Sequence, residues 1–281
     1  MLLKLRNSEK KVVSRFNLRR LTSFVRILPD FIIIGTSKSG TTTLYSYLQQ
    51  HPYIQPSYSK EIDYFDKKFD KGIMWYKSFF DTRIAKFFKQ KQNRNYLTGH
   101  VCDAFYHKKS AKRIKETLPN VKLILILRDP ISRAASHYNQ SVKKNREKLK
   151  FNEAINLQLK NDCGVEEKKL LHFSKKFNVD PENFYLSAGI YSPRLENFLK
   201  FFNKTNLLII KSEDLFSDPK NVLNDICKYL EIPNYQNIDY QHLNVSEKIE
   251  IEPSLKKELE NYYKKYNSKL EELAGSKFNW F

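Results

Sequence analysis

Phe31-Ile32-Ile33-Ile34-Gly35-Thr36-Ser37-Lys38-Ser39-Gly40-Thr41-Thr42-Thr43-Leu44 is the stretch on which the fold of this 281-residue chain turns. Four bulky apolar residues in a row, three of them β-branched, predict a short strand buried on both faces. A glycine-flanked loop follows. Thr43, Leu44, Tyr47 and Leu48 then recur at helical spacing as far as His51-Pro52. Strand, loop and helix N-terminus form a natural anion site, because backbone N–H groups and the helix dipole converge on the loop. Ser39, Thr41 and Thr42 add hydroxyl donors, and Lys38 adds a full charge.

The same alternation continues outward. Val121 to Leu127 predicts a second strand, followed by Arg128-Asp129-Pro130 and a helix carrying Ala134, Ala135 and Tyr138. Proline there suits a first helical turn. Leu207 to Ile210 predicts a third strand, and Asp218-Pro219 opens a helix containing Val222, Ile226 and Leu230. Glu252 to Leu273 reads as a long terminal helix. Strands alternating with helices predict an α/β fold: one domain, with a central parallel sheet flanked by helices and a P-loop-like phosphate-binding loop.

Residues 1–29 stand apart as a basic amphipathic segment, before a domain over residues 30–281. On a helical wheel Val13, Leu18, Leu21, Phe24, Val25, Ile27 and Leu28 fall on one side. Lys11, Arg15, Arg19 and Arg26 fall on the other, with Arg20 the exception. Residues 11–28 so patterned suit peripheral contact with an anionic membrane surface, or packing on the domain.

Fifty Lys and Arg against 31 Asp and Glu leave a net charge of +19. That excess favours an anionic partner, whether nucleotide, glycan, nucleic acid or lipid surface. Cys102, Cys163 and Cys227 are odd in number and far apart, and the six histidines lack ligand spacing. No disulfide framework or metal site is expected, and a reducing, cytoplasmic compartment is. No apolar run reaches membrane-spanning length, and no signal-peptide pattern is present.

Two rival readings can be weighed on residues alone. Gly35 and Gly40 are spaced as in a nucleoside-triphosphate loop, which would make the chain a P-loop kinase or NTPase. That motif needs Lys and then Ser or Thr directly after the second glycine. Here Thr41 follows Gly40, and the lysine lies two residues before it. The second strand also ends in Arg128 rather than in an acidic metal-holding residue. A basic, non-enzymatic nucleic-acid-binding protein would need a recognition module or an aromatic-basic surface. None is readable, and no nucleic-acid partner is expected.

Gly35 to Leu44 resembles the 5′-phosphosulfate loop of sulfotransferases that use 3′-phosphoadenosine-5′-phosphosulfate (PAPS). Arg128-Asp129-Pro130-Ile131-Ser132-Arg133-Ala134-Ala135-Ser136-His137-Tyr138 resembles their 3′-phosphate motif. Lys60-Glu61-Ile62-Asp63-Tyr64-Phe65-Asp66, Gly72 with Trp75-Tyr76, Asp214-Leu215 with Asp218-Pro219, and Phe278-Asn279-Trp280 extend the likeness. It is closest to the heparan sulfate N- and 3-O-sulfotransferase branch and its bacterial relatives, and spans about Leu28 to the C-terminus.

The resemblance implies sulfuryl transfer from PAPS, without a metal, to a hydroxyl or amino group. An anionic or neutral glycan is the acceptor of first choice, a lipid or small alcohol the second, and the product nucleotide is 3′,5′-adenosine bisphosphate. It implies that Lys38, Ser39, Gly40, Thr41 and Thr42 hold the phosphosulfate, and that Arg128 and Ser136 hold the 3′-phosphate. Lys38 would stabilise the leaving oxygen and Glu61 would be the base. Lys60, Asp63 and Trp75 would contact the acceptor, although Trp75 and Tyr76 equally suit a buried aromatic pair. The chain departs from the family in three places. Asp63 replaces a histidine, which makes it a second candidate base. His100-Val101-Cys102-Asp103-Ala104-Phe105-Tyr106 has lost a lysine. The late basic loop is shortened, leaving Lys248 as its substitute. Lys143, Lys144, Arg146, Lys148 and Lys150 line an acceptor groove or form a solvated helix end.

Overall fold

The structure is a computed structural model, and describes residues 18–92, 96–162, 164–241 and 249–281. Five parallel strands form its centre: β1 (Phe31–Ile33), β2 (Ile54–Glu61), β3 (Leu97–Val101), β4 (Lys122–Leu127) and β5 (Leu207–Lys211). Their order across the sheet is β2-β3-β1-β4-β5. The first strand therefore lies in the middle, with Phe31 opposite Gly99 of β3 on one side and Lys122 of β4 on the other.

Period-two alternation sends successive residues of each strand to opposite faces. Ile32, Ile34, Leu123, Leu125 and Leu127 enter one apolar layer, while Phe31, Ile33, Ile124 and Ile126 enter the other. Helices α1 (Thr41–Leu48), α2 (Gly72–Lys77), α3 (Arg83–Gln92), α4 (Ser110–Thr117) and α5 (Pro130–Lys143) connect or follow the first four strands. Next come α6 (Phe151–Lys160), α7 (Glu167–Phe177), α8 (Ser192–Leu199), α9 (Ser212–Ser217), α10 (Pro219–Leu230) and α11 (Pro253–Ala274). Ala111 and Ile114 of α4, Leu195 and Phe198 of α8 and Leu270 of α11 cover the first face. Leu44 and Leu48 of α1 and Val222, Ile226 and Leu230 of α10 cover the second. Each Val, Leu, Ile or Phe among them, fully buried, is worth about 1.5–3 kcal/mol.

All three strands predicted from the sequence form within a residue or two of their expected bounds. The flanking strands β2 and β3 are additions. Edge strand β2 contains Pro56, tolerable where no neighbour needs its N–H. Strand β3 carries Gly99 because the Phe31 ring leaves no room, and a Cβ there would sit 2.5 Å from ring carbons.

The N-terminal segment also differs from the expected continuous helix. Residues 18–21 are helical, a short 3₁₀ turn spans Ser23–Val25, and Arg26 then bridges to Thr82. Arg19 and Arg26 face inward, donating to the carbonyls of Ser78 and Phe80 at 2.7–2.8 Å. Leu18, Leu21 and Phe24 face outward, 64%, 74% and 63% exposed. Arg19 and Arg26 therefore fasten the first part of this segment to the domain, and Ile27 and Leu28 pack against the core just before β1. The earlier half of the 11–28 pattern lies outside the described residues.

Candidate active site

Four parallel strands each deliver a functional residue to the same end of the sheet. Lys38 lies in the loop after β1, Glu61 ends β2, Asp103 stands two residues beyond β3, and Arg128 directly follows β4. With the first turn of α1 and Ser136 of α5 they wall a cavity of about 620 Å³. Ligands of open parallel sheets bind in this crevice, outside the carboxyl ends of the strands.

The loop after β1 is a rigid cradle. Gly40 takes a φ of 96°, and Lys38 itself is left-handed at 72°. For lysine that conformation costs about 1–2 kcal/mol, and ties to β4 offset it. Arg128 Nη1 donates to the Lys38 carbonyl at 3.0 Å, and the Thr36 hydroxyl donates to the Ile126 carbonyl at 2.8 Å. A Cβ on Gly40 would come within 3.1 Å of the Phe216 ring.

Gly40 caps α1 without a side chain to give. By contrast, Asp129 accepts the Ser132 N–H at the start of α5 and Asp218 accepts the Asn221 N–H at the start of α10. Thr41, Thr42 and Thr43 line the cavity at this uncapped N-terminus, which is where a helix favours negative charge. The Lys38 ammonium is pulled down to about 8, mainly by burial and further by Lys144 and Arg133; Asp103 and Glu61 oppose the shift. Burial also lowers the Arg128 guanidinium, against the pull of Glu213. Positive charge held partly out of water beside a bare helix N-terminus fits a multiply anionic ligand, and PAPS fits the residues present.

The wall built by β2 and β3 has the opposite sign. Glu61 is well exposed and pairs with Lys60 at 2.7 Å. Lys60 also donates to Thr42 Oγ1 at 2.8 Å, which ties the end of β2 to α1. Asp63 follows, with Lys68 at 3.9 Å. Asp103 is half-buried, and its carboxyl is raised to about 6 by burial first and by Glu61 next.

Of the residues expected at the site, Lys38, Gly40, Thr41, Thr42, Lys60, Glu61, Asp63, Arg128 and Ser136 share this one cavity. Ser39 is turned away: it is fully buried, its hydroxyl 2.6 Å from that of Thr36 and its N–H on the Thr36 carbonyl. Trp75 is not brought to the wall but packs edge-on against Phe79 at 4.8 Å, within the aromatic cluster around Tyr64 and Tyr76. Lys248 lies outside the described residues. From the basic run, Lys143 and Lys144 reach the cavity, whereas Arg146 pairs with Glu182 at 2.8 Å. Asp103 was the residue sequence reasoning missed. Its place at a strand end was hidden because β3 itself carries no apolar run.

An uncapped helix N-terminus, a half-buried lysine and an arginine, all at the strand ends of a parallel sheet, define a class: α/β proteins that grip a multiply anionic, nucleotide-like ligand. The Sulfotransferase domain model matches residues 28–276, and the chain belongs to that family. A membrane-associated sulfotransferase of Dictyostelium discoideum is 28% identical over 90% of this chain and 66% of its own length. A mouse bifunctional heparan sulfate N-deacetylase/N-sulfotransferase is 31% identical over 80% of this chain and 24% of its own. A human heparan sulfate glucosamine 3-O-sulfotransferase is 24% identical over 90% and 65%. The chain thus spans about a quarter to two thirds of the length of these curated relatives. The crystal structure of a sulfotransferase from Alicyclobacillus acidocaldarius superposes with a TM-score of 0.69 at 25% identity, covering 90% of this chain and 99% of that one.

Proposed function

We propose that this chain transfers a sulfuryl group from PAPS to a hydroxyl or amino group of an acceptor, a glycan by analogy with the heparan sulfate relatives. One observation carries the reading: the Lys38–Thr42 loop, the Arg128/Ser136 pair and Glu61 all line one cavity. Two separated anion sites suit a nucleotide bearing both a 5′-phosphosulfate and a 3′-phosphate, which is the feature that separates PAPS from ordinary adenine nucleotides.

PAPS, when bound, supplies an activated sulfuryl group and a phosphate leaving group. The remaining work falls to the chain. Lys38 and the first-turn amides of α1 hold negative charge where it grows on the departing oxygen. Arg128 and Ser136 fix the nucleotide's other end, so that the transferred group meets the acceptor in line. Glu61 accepts the proton of the attacking hydroxyl, and Lys60 holds β2 against α1 so that this carboxylate stays at the cavity. Asp63 lies in the same wall and is the alternative base.

The decisive measurement is thermal stabilisation by 3′,5′-adenosine bisphosphate, by 5′-AMP and by ATP with magnesium. Bisphosphate binding without metal, far tighter than 5′-AMP, is expected. Equal binding of the two, or a strict magnesium requirement, favours the kinase reading instead.

A peripheral contact of residues 11–28 with an anionic lipid surface is a second part of the proposal. The outward Leu18, Leu21 and Phe24 support it, as does the net charge of +19. No helix among the described residues is long and apolar enough to cross a membrane. Buried free Cys102 and Cys227 are consistent with a reducing, cytoplasmic location. Co-sedimentation with phosphatidylserine vesicles, lost in Leu21→Ser/Phe24→Ser, tests the contact. Equal sedimentation of wild type and variant removes it.

A further inference from the structure

We propose that helix α3 is a second lipid-docking element, which extends the exposed apolar face of Leu18, Leu21 and Phe24 and seats the chain on an anionic bilayer. The inference rests on the peripheral contact proposed for residues 11–28, and deepens it by adding a helix far along the chain. A helix on a domain surface ordinarily turns its apolar stripe to the core. Helix α3 does the reverse. Lys86 and Lys89 face the domain: Lys86 pairs with Asp30 at 3.2 Å, and Lys89 with Asp81 at 3.3 Å and with Gln55. Both ammonium groups lie over the Tyr96 ring, at 5.7 and 5.4 Å. Ile84, Phe87 and Phe88 face solvent, each more than half exposed, and the two rings meet edge to face. Arg83 and Lys91 are exposed with them, Lys91 over the Phe87 ring.

The N-terminal segment is inverted in the same way, held by Arg19 and Arg26 with its leucines and Phe24 outward. The two segments adjoin. Arg26 bridges to Thr82, the residue before α3, and the Ile27 N–H donates to the Asp81 carbonyl at 3.0 Å. Together they hold six of the twelve large apolar side chains exposed among the described residues, which is a concentration and not the usual scatter. Charge selects the occupant. Neither residues 11–28 nor α3 contains an acidic residue, so the apolar side chains stand among cations only. That pairing of bulky apolar and basic residues suits the boundary of an anionic bilayer. The chain's own residues 1–17, with Lys4, Arg6, Lys10, Lys11 and Arg15 against Glu9, carry the wrong sign to cover it. A second copy, at a net charge of +19, does too. Helix α3 is tied to Asp30 before β1 and to Gln55 at the start of β2, at the amino ends of the strands. The catalytic cavity opens at their carboxyl ends, so lipid at α3 leaves it clear.

The test is co-sedimentation of the full chain with vesicles of equal parts phosphatidylserine and phosphatidylcholine, and with phosphatidylcholine alone. Phe87→Ser/Phe88→Ser should weaken binding to the anionic vesicles at least about tenfold, because two rings lose their place out of water. Arg83→Gln/Lys91→Gln should weaken it about fivefold or more, as expected for cations near an anionic surface. Both variants change exposed positions, so their thermal melts and bisphosphate affinity should match wild type. Wild-type binding by the phenylalanine variant, or equal binding to phosphatidylcholine alone, would overturn the inference. So would vesicles that compete with bisphosphate, which place the lipid in the cavity. A dimer by light scattering that the phenylalanine variant abolishes assigns the face to a second copy. A lowered melt with unchanged sedimentation assigns it to the chain itself, and either result also overturns the inference. Leu21→Ser/Phe24→Ser keeps the two parts apart. Loss in that variant alone removes α3 and leaves the contact of residues 11–28, while loss in the α3 variants alone does the opposite.

Discussion

The two walls of the cavity are built on unlike parts of the sheet. The donor wall stands on β1 and β4, central strands whose residues are buried on both faces, and its loop is tied across strands by Arg128 and Thr36. The acceptor wall stands on the edge strand β2 and its neighbour β3, and its leading carboxylate, Glu61, is open to solvent. The first wall is the one assigned to the nucleotide in the proposed function, and its loop is held by hydrogen bonds across strands. The second is polar, less tightly tied, and differs from the family's motifs in residues such as Asp63 and Asp103. A fold of this kind can keep its donor while changing what it modifies, because the two tasks rest on different strands.

Substitutions on either wall should therefore separate into two kinds. The largest effect is expected on the acceptor side, where Glu61→Gln keeps the shape but cannot take a proton. Sulfation of a hydroxyl should fall about 100- to 10,000-fold, with bisphosphate affinity nearly unchanged. If Asp63→Asn abolishes transfer while Glu61→Gln does not, the base has moved along the wall. Lys38→Ala should lower turnover about 100- to 1000-fold, the usual cost of one preorganised electrostatic donor, while the folded protein still binds bisphosphate.

Arg128→Ala should weaken bisphosphate by about 2–5 kcal/mol, as for one partner of a charged contact, and 5′-AMP by distinctly less, through the lost bond to the Lys38 carbonyl. Isothermal titration with the two nucleotides measures both. Equal losses for both would place Arg128 away from the 3′-phosphate.

A smaller effect sharpens the contrast through stability. Burial and Glu61 raise the Asp103 carboxyl from 3.8 to about 6, so its ionised form opposes folding above that pH. The penalty is full at pH 7, and is relieved as pH falls through 6 towards the unfolded value. Asp103→Asn should accordingly raise unfolding free energy at pH 7 by about 1–3 kcal/mol, and by little at pH 4. Denaturant melts at both values test this, and destabilisation at pH 7 would contradict it. Proton linkage on the donor wall has the opposite sense. Lys38, near 8 when free, should take up a fraction of a proton as bisphosphate binds at pH 8.5, and affinity should decline as pH rises through 8. Calorimetry in two buffers of different ionisation enthalpy reads the uptake directly, and zero uptake would detach Lys38 from the nucleotide.

The same contrast explains what could be read from residues alone. Phe31–Ile34, Val121–Leu127 and Leu207–Ile210 announce themselves because central parallel strands must be apolar throughout. Strand β2 hides behind Pro56, Lys60 and Glu61, and β3 behind Gly99 and His100. Glycine at 99 answers to the Phe31 ring. His100 is fully buried, its imidazole lowered to about 4 by burial and its Nε2 2.7 Å from the Tyr76 hydroxyl. Both demands come from partners far away in the chain, so no local pattern carries them. The donor residues could be placed because their loops follow visible strands. Asp103 could not, Ser39 was spent on Thr36, and Trp75 was drawn into an aromatic cluster that only the assembled fold reveals.

The central position of β1 has a consequence for how the chain is made. Phe31 pairs with Gly99 and Lys122, so the strand that anchors the sheet leaves the ribosome about seventy residues before its nearer neighbour. At about 5–20 residues per second, that interval lasts several seconds. During it Phe31-Ile32-Ile33-Ile34, apolar on both faces and with its edges unpaired, has no strand to join. Its long-range pairings must also bear the cost of closing large loops before they stabilise anything. The segment that makes the nucleotide cradle is thus also the one most in need of shelter during synthesis, and a chaperone that binds short extended apolar strands would find its first purchase there.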